Sequence, residues 1–140
     1  MSVISTNPPL SHQTRDLLGS AARGLLEAHA SPDPSRRYAL AHLSALRAAA
    51  AVLAARAHPG NRARIRSVWA VLPTVAPHLQ EWSAFFAANA GKRAAADAGL
   101  PVVSHREADD LIRDAETFLA EVASLIGRDF QVTIPDRRVG

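Results

Sequence analysis

Residues 34–57 read PSRRYALAHLSALRAAAAVLAARA, and this stretch decides the fold class of the chain. After Pro34 it contains neither Gly nor Pro, and most of its apolar residues are alanine, the strongest helix former. Asp33 directly precedes Pro34, which is the typical order of an N-cap residue and a first helical residue. Because alanine side chains let helix axes approach closely, the stretch predicts a long helix in an all-helical protein.

Four more segments on either side of this helix carry apolar residues at helical spacing. They predict helices at residues 12–30, 62–72, 77–98 and 105–126. Ser104, with Glu107 three residues later, has the sequence of a capping box, and Gly127 is expected to end the last helix. Amphipathic helices can bury their apolar faces only against each other when no sheet is available. We therefore predict an all-α bundle of four long helices and one short helix.

The length of 140 residues fits a single domain. We expect a flexible N-terminus over residues 1–10, a helical domain over residues 11–127 and a C-terminal tail over residues 128–140. The absence of Cys excludes disulfides, zinc–thiolate sites and thiol nucleophiles. No uninterrupted apolar run reaches the roughly 20 residues of a membrane span, and no secretory signal opens the chain. A cytoplasmic protein with no membrane contact is the expectation.

The sequence lacks the common patterns for binding cofactors and metals. It has no glycine-rich phosphate loop, no Gly-x-Ser-x-Gly turn, and no Glu-x-x-His or His-x-x-x-His pair. The closest approach to metal-ligand spacing is His78 with Glu81, for which a surface capping contact is the favoured interpretation. We therefore predict no cofactor and no metal.

The positive charge of the chain is compatible with an anionic partner such as RNA. The net charge is +3, and 15 of the 16 basic side chains are arginine. Cations beside an aromatic ring can bind a phosphodiester backbone, and a group of three arginines lies near Trp69 in the sequence. Together with Arg36, the candidate nucleic-acid-binding residues are Arg62, Arg64 and Arg66. The alternative and favoured interpretation of this group is a solvated rim on a short helix.

Arg37 and His42 form an Arg-x4-His pair near the start of the helix over residues 34–57. On a regular helix their directions differ by about 140°, which a long arginine side chain can partly bridge. Such a pair suits metal-independent RNA cleavage, because arginine can stabilise the charge on the phosphate and histidine can transfer protons near neutral pH. About two matches to this spacing are expected by chance. The alternative is a structural pair, with Arg37 lying along the helix start and His42 half-buried.

Three segments resemble a small actinobacterial, single-domain branch of the HEPN superfamily (higher eukaryotes and prokaryotes nucleotide-binding). They are RYALAHLSALRAAA at residues 37–50, VWAVLPTVAPHLQEWSAFF at residues 68–86 and AGKRAAADAG at residues 90–99. The resemblance covers roughly residues 10–127 and implies an all-α bundle that is often dimeric. Many members are metal-independent endoribonucleases of toxin–antitoxin or defence systems, with an Arg-x4–6-His motif that forms a composite site across the dimer. By this resemblance Arg37 is the catalytic phosphate-binding residue and His42 the catalytic acid or base.

Two hypotheses about function follow. The first is a HEPN-like RNA-binding protein with endoribonuclease activity, which has Arg37 and His42 at the centre of a homodimer. The second is a non-catalytic helical module for dimerisation or for docking of a partner protein. The position of His42 discriminates between them, because a catalytic imidazole has to face a groove that RNA can enter.

Overall fold

The computed structural model describes residues 10–56 and 67–130, and their regular structure is entirely helical. The helices are α1 (His12–Ala30), α2 (Pro34–Arg56), α3 (Val68–Val75), α4 (Gln80–Ala88), α5 (Ala90–Asp97) and α6 (His105–Asp129), with a 3₁₀ turn at Pro77–Leu79. The predicted all-α fold class is confirmed. The predicted short helix over residues 62–72 is observed from Val68 onward, and its earlier part lies outside the described residues.

Helix α2 is the centre of the bundle, because it packs against α1, α6, α3 and α5. Its alanines supply much of the contact surface, and Ala41, Ala48 and Ala51 are fully buried. The approach of α1 is close enough that a Cβ atom on Gly24 would lie 2.3 Å from the Ser44 hydroxyl of α2. Small residues on α2 thus allow close helix contacts, as the sequence predicts.

An aromatic cluster holds the later helices together. Trp69 of α3 stacks on Phe86 of α4 with ring centroids 5.1 Å apart, and Phe118 of α6 lies 5.2 Å from Phe86. Trp82 contacts the same two phenylalanines at the edge of the cluster. These rings fill the space that the small side chains of α2 leave on this side of the core.

By length and composition alone, α2 is apolar enough to cross a membrane. This differs from the expectation in the sequence, where no uninterrupted apolar run is long enough for a membrane span. In the structure, 56% of its most apolar window is buried inside the protein. The apolar character of α2 is therefore accounted for by its central place in the bundle.

Three predicted helix starts are confirmed by their caps. The Ser11 hydroxyl accepts a hydrogen bond from the Thr14 backbone, and an Asp33 carboxylate oxygen accepts one from the Arg36 backbone. Ser104 and Glu107 form both hydrogen bonds of the capping box. Each of these bonds satisfies a backbone N–H that has no partner within the helix.

The predicted helix over residues 77–98 was wrong as a single element. It is divided into the 3₁₀ turn, α4 and α5, and Asn89 lies between the last two. The Asn89 backbone N–H donates to the Phe85 and Phe86 carbonyls, and its side-chain amide donates to the Phe85 carbonyl at 2.9 Å. A local side-chain bond of this kind competes with continuation of the helix.

The predicted end of α6 was also wrong. The helix continues through Gly127 to Asp129, two residues beyond the expected stop. The Arg56 guanidinium donates two hydrogen bonds to the Asp129 carboxylate, at 2.8 and 2.9 Å. This contact with the end of α2 favours the extra residues of α6, and no sequence pattern within α6 indicates it.

Candidate functional site

The Arg37 guanidinium is fixed at the end of α1. Its Nη1 donates to three backbone carbonyls, those of Ala28 at 3.1 Å, His29 at 2.9 Å and Ser31 at 3.1 Å. Its Nη2 donates to the Asp109 carboxylate of α6 at 2.6 Å, and only 16% of the side chain is exposed. Carbonyls at a helix C-terminus have no partner within the helix, so Arg37 acts as a cationic cap for α1.

The His42 imidazole lies in the core and is 2% exposed. It meets the rings of Trp69 and Phe86 edge-on, with centroids 6.1 and 5.7 Å away. Its Nε2 is 2.9 Å from the Phe86 carbonyl, and because a carbonyl only accepts, Nε2 carries the proton. Nδ1 is buried without a hydrogen-bond partner. Burial lowers the pKa of His42, since the charged ring would lose its hydration.

Both members of the Arg-x4-His pair therefore bind the carbonyl end of a helix. Arg37 binds the end of α1, and His42 binds a carbonyl in the last turn of α4. Among the described residues the two side chains share neither a hydrogen-bond partner nor a cleft. The expectation that they meet at one surface is not met within a single chain.

The candidate nucleic-acid-binding arginines fall into two groups. Arg62, Arg64 and Arg66 lie outside the described residues. Arg36 is exposed and forms an ion pair with Glu27 at 3.1 Å. Arg56, which the sequence places beside the first group, is engaged with Asp129 and with the Val75 carbonyl. Arg56 is thus part of the bundle.

A cleft of about 480 Å³ opens between the 3₁₀ turn with α4 on one side and α6 on the other. It is lined by aromatic rings and carboxylates: His78, Glu81, Trp82, Phe85, Asp114 and Glu121. We call it the aromatic–acidic cleft. Trp82 and Phe85 meet edge-on at 6.1 Å, and the Trp82 indole N–H donates to the Glu121 carboxylate at 3.1 Å.

A second depression of about 260 Å³ adjoins the aromatic–acidic cleft, since Phe85 and Asp114 line both. It continues along α4 and α6 toward Lys92, which forms an ion pair with Glu107. Burial is the main cause that raises the pKa of Asp114, and the neighbouring carboxylate of Asp110 adds to it. The two depressions thus share part of their lining, and we call them together the groove.

A family comparison accounts for this arrangement of helices. Residues 28–123, more than half of the chain, match the model of the SAV_6107-like HEPN family. The chain belongs to this HEPN family. The match begins in the last turn of α1 and ends within α6, so the bundle is the HEPN domain. No curated protein and no solved structure matches the chain.

The sequence patterns did not predict the aromatic–acidic cleft of this HEPN domain. They favoured a surface capping contact for His78 with Glu81. The available signal was the spacing of Asp114 and Glu121, which lie two turns apart on the polar face of the last predicted helix. That signal could not show which element of the bundle faces these carboxylates.

Within the described residues, no group of three His, Asp or Glu side chains lies close enough to hold a metal ion. His78 and Glu81 both line the aromatic–acidic cleft and form no capping contact with each other. The chemistry that this region offers is therefore binding of a positive charge by carboxylates and aromatic rings.

Proposed function

We propose that this HEPN domain is a non-catalytic helical interaction module. The observation that carries the proposal is the burial of His42, whose Nε2 proton is committed to the Phe86 carbonyl. A general acid or base has to reach the proton that it transfers, within hydrogen-bond distance or through one water molecule. An imidazole surrounded by Trp69 and Phe86 lacks that access in the single chain.

The chemistry of the pair supports the same proposal. Burial lowers the pKa of His42, which disfavours the protonated ring that an acid catalyst would need. The Arg37 guanidinium already satisfies three carbonyls and one carboxylate, so binding of a scissile phosphate would uncap α1. Each residue has a structural task that explains its presence without catalysis.

The alternative is metal-independent cleavage of RNA by Arg37 and His42 across a homodimer, as the family resemblance implies. It requires that dimer formation release both side chains from the contacts described above. RNA binding, a homodimer and a cytoplasmic location stay predictions, as do toxin–antitoxin and defence roles.

A cleavage assay separates the two functions. Purified protein is incubated with a pool of single-stranded and structured RNA in the presence of EDTA, over a wide range of protein concentrations. We expect no cleavage above that of a mock purification. Cleavage by the wild type that is lost in R37K and in H42Q, while both variants keep their helical circular-dichroism spectrum, would establish the ribonuclease instead. H29Q serves as the matched control, because His29 is an exposed histidine that pairs with Glu116.

A further inference from the structure

We propose that the aromatic–acidic cleft is the docking site for a basic, arginine- or lysine-bearing segment of a partner protein. The proposal deepens the interaction function proposed above and depends on it, because it assigns the surface and the chemistry of the partner. It is drawn from the pattern of ion pairs on α6, from the aromatic rings of the cleft and from the second depression that adjoins it.

The carboxylates of the cleft differ from the other carboxylates of α6 in having no cationic partner among the described residues. Five acidic residues of α6 pair with a basic side chain: Glu107, Asp109, Asp110, Glu116 and Asp129. The two that line the cleft, Asp114 and Glu121, form no ion pair, and neither does Glu81 on the opposite wall. Within the part of the chain that the structure describes, no Lys or Arg neutralises these carboxylates, and charge complementarity therefore favours a basic ligand.

Aromatic rings supply the second contribution to the site. Phe85 is 37% exposed, and it lies beside the half-buried Trp82. A guanidinium or ammonium group placed over such a ring is attracted by its negative face, while nearby carboxylates bind its N–H groups. The alkyl part of an arginine or lysine side chain can cover the exposed ring at the same time.

The shape of the groove favours a peptide over a single small cation. The cleft and the second depression share Phe85 and Asp114, so one extended chain can occupy both.

The charge of the cleft excludes a nucleic acid as its occupant. Phosphate groups would face Glu81, Asp114 and Glu121, with His78 as the single basic residue that lines the cleft. The negative charges of the phosphates and of these carboxylates would repel each other. If the HEPN domain binds RNA, it does so on another surface.

The experiment follows the indole N–H signals of ¹⁵N-labelled protein during titration with a peptide that alternates arginine with alanine. Trp82 lies in the cleft, while Trp69 is buried in the core and serves as an internal control. We expect the Trp82 signal to shift with saturation while that of Trp69 stays in place. A peptide that alternates glutamate with alanine should leave both signals unchanged.

A pair of variants tests whether the cleft carboxylates are responsible. E81Q/D114N removes two charges from the cleft and should weaken binding about tenfold. D16N/E27Q makes the same change in net charge on the exposed surface of α1 and should bind like the wild type. Equal weakening of binding by both double variants would mean that only the net charge matters, and it would overturn the proposal.

Two further outcomes also overturn it. The first is equally tight binding of arginine amide, which would mark a small-cation site. The second is a response to the arginine peptide no larger than the response to the glutamate peptide. Failure of this proposal is distinguishable from failure of the proposed function. RNA cleavage by the wild type refutes the non-catalytic function whatever the peptide does, whereas absent cleavage with absent peptide binding refutes only the docking site.

Discussion

The Nε2 of His42 donates a hydrogen bond to the backbone carbonyl of Phe86 at 2.9 Å, across 44 residues of sequence. This bond joins the central helix α2 to the last turn of α4, close to Asn89, where α4 ends before α5 begins. The Phe86 carbonyl lies in the last turn of α4 and accepts a bond from the Asn89 backbone N–H, so His42 supplies a second donor from outside the helix. His42 is therefore a structural cap in the core of this HEPN domain.

Replacement of His42 should reveal this structural role through stability. H42A removes a buried ring and the side-chain donor of the Phe86 carbonyl, which keeps its bond from the Asn89 backbone N–H, so we expect a loss of about 3 kcal/mol in the free energy of unfolding. H42Q keeps a donor of similar reach and should lose less. Urea denaturation followed by circular dichroism measures both values. If H42A is as stable as the wild type, the role of His42 as a cap is wrong.

The stability of the protein should fall in mild acid because of the same residue. Burial lowers the pKa of His42 in the folded state, and Arg93 adds a smaller effect in the same direction. Below the unfolded-state pKa of about 6.5, the unfolded chain binds a proton at this site that the folded chain does not. The contribution of neutral His42 is thus fully present above that pH and is lost as the pH falls through the folded-state pKa.

The size of this effect is bounded by proton linkage. One such group changes the free energy of unfolding by at most about 1.4 kcal/mol per pH unit. The measurement is the difference between wild type and H42Q in urea denaturation at several pH values from 7 to 5, since the variant shares all other titrating groups. The wild type should lose more stability than H42Q over this range. Parallel curves would contradict the prediction.

Much of the fold follows from the sequence because the signals that specify it are local. The capping box of Ser104 and Glu107 and the N-cap Asp33 act within one turn of helix, so their spacing alone places two helix starts. The extension of α6 to Asp129 depends instead on a contact between distant segments, its ion pair with Arg56. Spacing along the chain carries no information about such contacts.

The same distinction explains the outcome for the Arg-x4-His pair. The spacing of the pair allows Arg37 and His42 to approach each other. Their hydrogen-bond partners, however, depend on which helices pack against α2 at these two positions. Those partners are the end of α1 and Asp109 for Arg37, and the end of α4 for His42. The aromatic–acidic cleft was missed for this reason as well, since it exists only where α4 faces α6.

The cap formed by Arg37 should depend on the shape of its guanidinium. R37A removes the side-chain donor of the Ala28, His29 and Ser31 carbonyls, and the Ala28 carbonyl keeps its bond from the Ser31 backbone N–H. We expect a loss of about 2 kcal/mol in the free energy of unfolding. R37K keeps the charge but not the fork of donors, so it should recover only part of the loss. D109N, which removes one exposed partner, should cost less than R37A in the same urea titration. R37K as stable as the wild type would show that charge alone is sufficient.

The close contact between α1 and α2 provides the last test, because it depends on the absence of one methyl group. A Cβ atom on Gly24 would lie 2.3 Å from the Ser44 hydroxyl, which is buried and has no hydrogen-bond partner. G24A should therefore destabilise the protein by about 1–2 kcal/mol, although alanine is the better helix former. G91A is the matched control, because nothing lies within 4 Å of the added methyl group in α5, and it should stabilise by about 0.5–1 kcal/mol.

The double variant G24A/S44A removes the hydroxyl that the methyl group meets and should recover most of the stability lost in G24A. If the loss in G24A persists unchanged beside S44A in thermal unfolding, the contact between these two positions does not limit the approach of α1 to α2.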